Sequence, residues 1–298
     1  MTLIFGMLLD AIFGEPKWLW SRLPHPAILM GRLISACDLR FNAGKRRKAK
    51  GIAVLIGLVS SAGLLGLLLQ AIPGHIIDII VVAVILAQKS LADHVRAVAD
   101  ALRLSLGDGK RAVAMIVGRD TRDMDKAAVA RSAIESAAEN LSDGVIAPAF
   151  WFLIGGLPGL LIYKITNTAD SMIGYRTPRH EQFGWAAARF DDLLNLIPAR
   201  LTAALIWAVT TRPTPRSILQ DAPLHRSPNA GWPEAAIAHG LDIALSGPRS
   251  YDGQMRDYPF VNATGTHDLT PGDIDRAVSV LWKTWALMLG GVAVIAVL

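Results

Sequence analysis

The 298-residue sequence contains one cysteine, Cys37. An intramolecular disulfide is therefore excluded, and no cysteine-based metal pattern exists. No GxxxxGK[ST] loop occurs and no GxGxxG follows a strand-like run, so a nucleotide would not be held by a standard phosphate loop. No HExxH helix and no Ser/His/Asp order stand out. Internal repeats and long low-complexity tracts are also missing. The first 13 residues lack a preceding basic region and a following small-residue cleavage site, so they are expected to form a retained first helix. Charge is missing altogether from residues 51–72, "GIAVLIGLVSSAGLLGLLLQAI". That run is long enough to cross a hydrocarbon core of about 30 Å.

What is present is apolar. Hydrophobic residues make up 52% of the chain and the mean hydropathy is +0.37. After the Pro73-Gly74 turn, residues 75–88 form a second membrane candidate, with Asp78 near one end, and are expected to complete a helical hairpin. Residues 279–298 form a third, in which Lys283 snorkels and Trp282 and Trp285 suit an aromatic belt. Two runs are interrupted: 145–165 by Pro148, "GGLPG" and Lys164, and 193–211 by Asn195, Pro198 and Arg200. Such breaks are tolerated where the backbone lines a buried or wet cavity, so each run is either a span or a re-entrant segment. The expected fold class is all-α: a polytopic integral membrane protein with about 4–6 membrane-embedded helices and cytoplasmic helical segments. It is read as one domain over 1–298, comprising an N-terminal region (1–50), the hairpin (51–88), a catalytic core (89–211), a polar helical region (212–278) and a C-terminal membrane helix (279–298). The basic cluster "KRRKAK" at 45–50 abuts the first clear span and reads as a positive-inside anchor at a lipid surface rather than a nucleic-acid site.

Local signals refine the polar segments. "KSLADHVRAVADALRLSL" predicts an amphipathic helix with Leu91, Val95, Val98, Ala101 and Leu102 on one face, ended by "GDG" at 107–109. Residues 111–121 read as a short strand or a helix start. The stretch from Asp123 is strongly helical, and so is "GWPEAAIAHGLDIALSG" at 231–247.

On the helix from Asp123, at 100° per residue, Arg131, Ser132, Glu135, Ser136, Glu139, Asn140 and Asp143 occupy one polar arc. The simplest reading is a solvated face with an Arg131–Glu135 pair. However, Glu135, Glu139 and Asp143 are successive like-charge neighbours at spacings of four, which destabilise a helix unless a cation sits among them. Mg²⁺ with oxygen ligands would relieve them. A second polar stretch follows. Asn167, Asp170 and Ser171 share a helical face, surrounded by Lys164, Arg176, Arg179 and Arg189, with Asp191 and Asp192 closing the stretch. This mixture suits an anionic, metal-bound phosphate, or else a juxtamembrane loop at lipid headgroups. His25, rigidly set between Pro24 and Pro26, and the region with His225, Arg226, Asn229, Glu234, His239, Arg249, Tyr251 and Asp252 supply further candidates.

The strings "HPAILMGRLI", "ESAAENLSDGVIAPAFWFLIGGLPGLLIYKITNTADSMIGYR", "FGWAAARFDDLLNLIPARLTA" and "SPNAGWPEAAIAHGLDIALSGP" together resemble the adenosylcobinamide-phosphate synthase family of cobalamin biosynthesis, the CobD/CbiB type. "GEP" at 14–16 departs from the more usual G-D-P but keeps a carboxylate. The resemblance implies an enzyme of the cell inner membrane. It would join adenosylcobyric acid to (R)-1-amino-2-propanol O-phosphate, or to free aminopropanol, using ATP and Mg²⁺. The expected roles are Glu135, Glu139, Asp143 and Asp170 around Mg²⁺ and in catalysis, and His25 or a carboxylate as proton acceptor. Asn140, Lys164, Asn167, Ser171, Arg176, Arg189, Asp191, Asp192, His225 and Arg226 would bind substrate or nucleotide. A homo-oligomer, or association with other enzymes of the pathway, is also expected. The rival expectations are a non-catalytic sensor or corrinoid-binding protein, like the distantly similar AmpE type, and a transporter.

Overall fold

A computed structural model describes residues 1–210, 214–251 and 254–297. Asp252 and the ends of two apolar runs, Thr211 and Leu298, lie outside the described residues. In chain order the helices are α1 (Thr2–Phe13), α2 (Lys17–Trp20), α3 (Pro26–Phe41), α4 (Arg47–Gln70), α5 (Ile76–Ile85), α6 (Gln88–Leu104), α7 (Leu106–Val113), α8 (Lys126–Leu141), α9 (Ala147–Ile173), α10 (Trp185–Leu194), α11 (Leu196–Val209), α12 (Pro215–Asp221), α13 (Gly231–Leu241) and α14 (Pro271–Val297). A π-helical turn, Ser142–Ile146, links α8 to α9. Two small antiparallel pairs complete the chain: β1 (Leu245–Ser246) with β4 (Phe260–Val261), and β2 (Arg249–Tyr251) with β3 (Gln254–Arg256).

Among the described residues, three helical stretches are long and apolar enough to cross a membrane: 47–70, 126–173 and 271–297. The pair α10 and α11, broken at Asn195, makes a fourth when taken together. The chain is thus an all-α membrane protein in its main architecture. α4 leaves Leu64, Leu65, Leu67 and Leu68 exposed, as a lipid-facing helix does.

The chain divides into two compact units. The first, residues 1–87 and 147–196, holds α1–α5, α9 and α10. Here α4 lies along α9, α3 and α10 also pack on α9, and α1 packs on α5. Ile34, Leu58, Ile165, Ala169, Ile173, Phe183 and Ala187 form its core. The expected hairpin is corrected here. α5 has 10 residues, about 15 Å of helix at about 1.5 Å per residue, half of a hydrocarbon core. Its main partner is α1 rather than α4, and Gly6 lets the two approach, since a Cβ there would strike Val82. Within α9 the helix breaks at Gly156 (φ 59°, ψ −149°), two residues before Pro158. Gln70 Oε1 accepts from the Leu157 N–H at 3.2 Å across this break, so one freed backbone donor is satisfied from α4.

The second unit holds residues 88–146 and 197–298. In it α6 packs against α7, α8 and α14, and α13 against α12 and α8. The buried face of α6 carries Ala92, Val95, Val98, Ala99 and Leu102, so Leu91 and Ala101 yield to alanines on the same side. "GDG" does not end this helix. α6 stops at Leu104, and Ser105 caps α7 by accepting from Asp108 N at 3.0 Å. Residues 111–121 form the end of α7 and turns, with no strand. α8 starts where Asp125 accepts from Ala128 N at 2.7 Å, and six alanines in its 16 residues favour helix. α13 ends at Leu241 rather than at Gly247, because Asp242 turns left-handed (φ 55°).

Candidate functional site

The acidic arc of α8 is not a solvated face. Ser132, Glu135 and Ser136 are buried, as are Ile134, Ala137, Ala138 and Leu141 on the other side. Arg131 does not pair with Glu135 through a hydrogen bond or ion pair. Its Nε donates to Ala244 O at 3.2 Å and its Nη2 to His267 O at 3.0 Å. Glu135 instead forms an ion pair with Arg119, whose Nη2 donates to Oε2. Its Oε1 accepts from Ser246 N at 2.6 Å and lies 3.3 Å from Arg249 Nη2. Both side-chain oxygens are therefore committed. Beside Glu135 the compensating charge is a pair of guanidinium groups.

Arg249 also reaches a second buried carboxylate. Its Nη2 is 3.6 Å from Glu234 Oε1, while Glu234 Oε2 is 3.7 Å from His225 Nε2. Glu234 is 4% exposed, and its Oε1 has no hydrogen-bond partner. Burial, reinforced by the charge of Glu135 and opposed by Arg249, pushes its pKa up to about 8. Burial and Arg249 push His225 down to about 4. Its Nδ1 accepts from Ser227 N at 3.0 Å. At neutral pH Glu234 thus carries a proton and His225 does not.

These shifts have opposite linkage. The raised Glu234 pKa gives stability that is complete below about 4.5 and is lost as pH rises through about 8. The lowered His225 pKa gives stability present above about 6.5 and lost as pH falls toward about 4. Only the Glu234 effect operates between about pH 6.5 and 8. Glu234→Gln is therefore expected to lose a few degrees less of thermal midpoint than the parent over this window. Equal slopes in a detergent melting series would reject the protonated state.

Around the cluster, Arg119, Asp120, Asp123, Arg131, Ser132, Ser246 and Arg249 line a cavity of about 90 Å³. The other α8 candidates sit nearby in the chain. Glu139 is exposed one turn on from Glu135 and feels the charges of Arg119 and Arg249. Asn140 Nδ2 donates to Ser136 O at 2.9 Å, and Asp143 lies in the π turn. His225 joins the cluster. Arg226 is exposed and stacks over Tyr258, 5.4 Å from the ring centroid.

The first unit holds a separate polar network. Tyr163 Oη donates to Asn195 Oδ1 at 3.0 Å, and Asn195 Nδ2 to Asp191 Oδ2 at 3.0 Å. Asn167 Nδ2 reaches Asp191 Oδ1 at 3.3 Å. The interruption at Asn195 is thus filled by side-chain hydrogen bonds that tie α10 to α9. Lys164 and Asp170 lie on the same helix as Asn167, and Ser171 Oγ donates to Asn167 O at 2.9 Å. Arg176 and Arg189 are exposed, and Arg189 lies 3.7 Å from Asp192.

His25 is a structural cap. Its Nδ1 accepts from Ala27 N at 3.2 Å, which leaves the proton on Nε2, 3.2 Å from Val84 O. Burial also lowers its pKa. With both nitrogens engaged, it is not poised as a proton acceptor.

For the expected magnesium set, the geometry bears on Glu135. Glu135 is saturated by guanidinium and amide donors. Among the described residues, no group of three or more His, Cys, Asp or Glu gathers as a metal site. Sequence reasoning overlooked Arg119 entirely and left Glu234 and Arg249 among undifferentiated polar residues.

Residues 3–281 match the family model described as CobD/Cbib protein. The chain belongs to the CobD/Cbib family. A relative from Brucella anthropi named "Cobalamin biosynthesis protein CobD" is 48% identical, covering 97% of this chain and 94% of its own. The proteins of that name from Sinorhizobium fredii and Rhodobacter capsulatus are 46% and 42% identical, each over 99% of this chain and 96% and 97% of theirs. No solved structure matches. Family membership covers both units, so the guanidinium cluster of the second and the carboxamide network of the first lie within the matched region.

Proposed function

We propose that the chain is a cobalamin-pathway ligase of the inner membrane, multi-pass. It would join adenosylcobyric acid to (R)-1-amino-2-propanol O-phosphate, or to the free aminopropanol, with ATP and Mg²⁺. The observation that carries this reading is the family match over residues 3–281. The cavity with three arginines among its lining residues supports it, since both ATP and the phosphorylated amine carry oxyanions.

A carboxylate does not accept an amine unaided, because its oxygen is a poor leaving group. ATP supplies the phosphoryl group that makes that oxygen leave. The residues here would bind and orient anionic groups, and a carboxylate would receive the proton released when ammonium becomes amide. Glu139 suits that role better than His25, being exposed on α8 one turn from Glu135. Mg²⁺ enters with the nucleotide, and no ligand set on this chain is assigned to it.

The purified protein in detergent, given adenosylcobyric acid, aminopropanol phosphate, ATP and Mg²⁺, is expected to yield the amide, detected by mass. No product under conditions where a known synthase works would defeat the proposal.

A further inference from the structure

We infer that Arg119, Arg131 and Arg249 form a phosphoryl-binding pocket within the second unit, with Glu135 as its positioning residue. The assignment deepens the ligase reading. It rests on that reading only for which phosphate ester is bound.

Three arginines are among the residues that line one cavity of about 90 Å³, together with Ser132 and Ser246. Each guanidinium carries five N–H donors in a rigid fork. Arg119 uses Nη2 on Glu135, and Arg131 uses Nε and Nη2 on two carbonyls. Both still line the cavity after those bonds are made. Arg249 is anchored by Ser246 Oγ at 2.8 Å and by Glu135. Such anchored forks are pre-organised: their orientation is fixed before a ligand arrives, so binding an oxyanion orders little.

Glu135 does not line the cavity. It is buried, and it bridges Arg119 and Arg249 from within the protein. Neutralising part of their charge lowers the cost of holding two guanidinia together, while their orientation stays fixed. Two carboxylates, Asp120 and Asp123, share the lining with the arginines. Asp123 is exposed. A wall with charges of both signs suits a small phosphate ester that also bears an ammonium. A nucleotide phosphate shares the oxyanion chemistry without that second match.

The test is binding of (R)-1-amino-2-propanol O-phosphate, free aminopropanol and ATP to the full chain in detergent by calorimetry. A charge-assisted hydrogen bond contributes about 1.5–3 kcal/mol, or roughly 10- to 150-fold in affinity. Arg119→Gln and Arg131→Gln are each expected to raise the Kd for the amine phosphate at least ~10-fold, leaving free aminopropanol within ~2-fold. Glu135→Gln is expected to do the same, with the KM for the amine phosphate rising more than kcat falls. Arg122→Gln, which removes an exposed charge outside the cavity lining, is expected to change nothing. A rise for ATP alone would keep the pocket and assign it to the nucleotide. Unchanged affinity for every phosphate-bearing probe would overturn it.

If the variants do not fold, the parent protein serves. Aminopropanol phosphate or ATP must then protect Arg119 and Arg131 from phenylglyoxal, mapped by peptide mass, and lack of protection by either rejects the pocket. Loss of binding in the variants, with no amide formed by the parent, leaves the pocket standing and rejects the ligase. Amide formation with unchanged KM values in the variants does the reverse.

Discussion

Glu135→Ala is expected to lower stability by about 3–5 kcal/mol, the usual effect of removing one partner from a buried ion pair. The side chains of Arg119 and Arg249 are 11% and 9% exposed, so the substitution removes the carboxylate between two guanidinia that little water can solvate. The Ser246 N–H loses its acceptor as well. Thermal unfolding in detergent should show a fall on the order of 10 °C. The fall should be the same with and without Mg²⁺, since the lost partners are guanidinia rather than a metal. A loss under about 1 kcal/mol, or one that appears only when Mg²⁺ is present, would return Glu135 to the role of metal ligand.

Much of this site was announced by the sequence as a deficit. Acids at spacings of four on one helix face need a cation, and the helix itself was readable from its alanines and its Asp125 cap. What supplies the cation was not readable. Arg119 lies 16 positions before Glu135, across the turns that follow α7, and Arg249 arrives from the β2 strand near the other end of the chain. Helical periodicity reports which residues share a face and carries no information on what packs against it. The same gap explains Mg²⁺: any concentrated positive charge satisfies the deficit, and side chains can supply it.

The fold divides along similar lines. The runs at 51–72 and 279–298 were legible because a long apolar helix with at most one charge has few other fates. The second arm of the expected hairpin failed because the short, mostly apolar run at 75–88 does not say what covers it. α1 does, through the approach at Gly6. The continuation of helix beyond Leu104 did have a local signal. Ser105 with Asp108 three positions on is a capping pair, and the structure closes it with Ser105 Oγ donating to Asp108 Oδ2 at 2.6 Å. The two glycines of "GDG" outweighed it in a reading based on helix stops. The small β pairs sit in a proline-rich segment whose pairing partners are set by tertiary contacts.

The second large effect is expected at the crossing of α4 and α9. Gly66→Ala would place a Cβ 2.5 Å from both the N and the Cα of Pro158. Those are backbone atoms beside the break at Gly156, so no rotamer change relieves the overlap and the two helices must separate. Overpacking typically costs about 1–3 kcal/mol, occasionally more, and Gly66→Leu should exceed it. In a bilayer the contact is especially dependent on close approach, because lipid tails are as apolar as leucine and helix association relies on packing. One turn further on, Gln70 satisfies the Leu157 N–H within the same crossing, so separation would also leave that donor unpaired. Gly57 is the internal control: it lies on the same helix, and a Cβ there meets nothing within 4 Å. Gly57→Ala is expected to be neutral or stabilising by up to about 1 kcal/mol, the ordinary gain of replacing glycine in a helix interior. Melting temperatures of the two alanine variants in detergent, measured side by side, decide the matter. Equal values would mean that α4 and α9 do not meet at Gly66, because helix propensity alone predicts the same small gain at both positions.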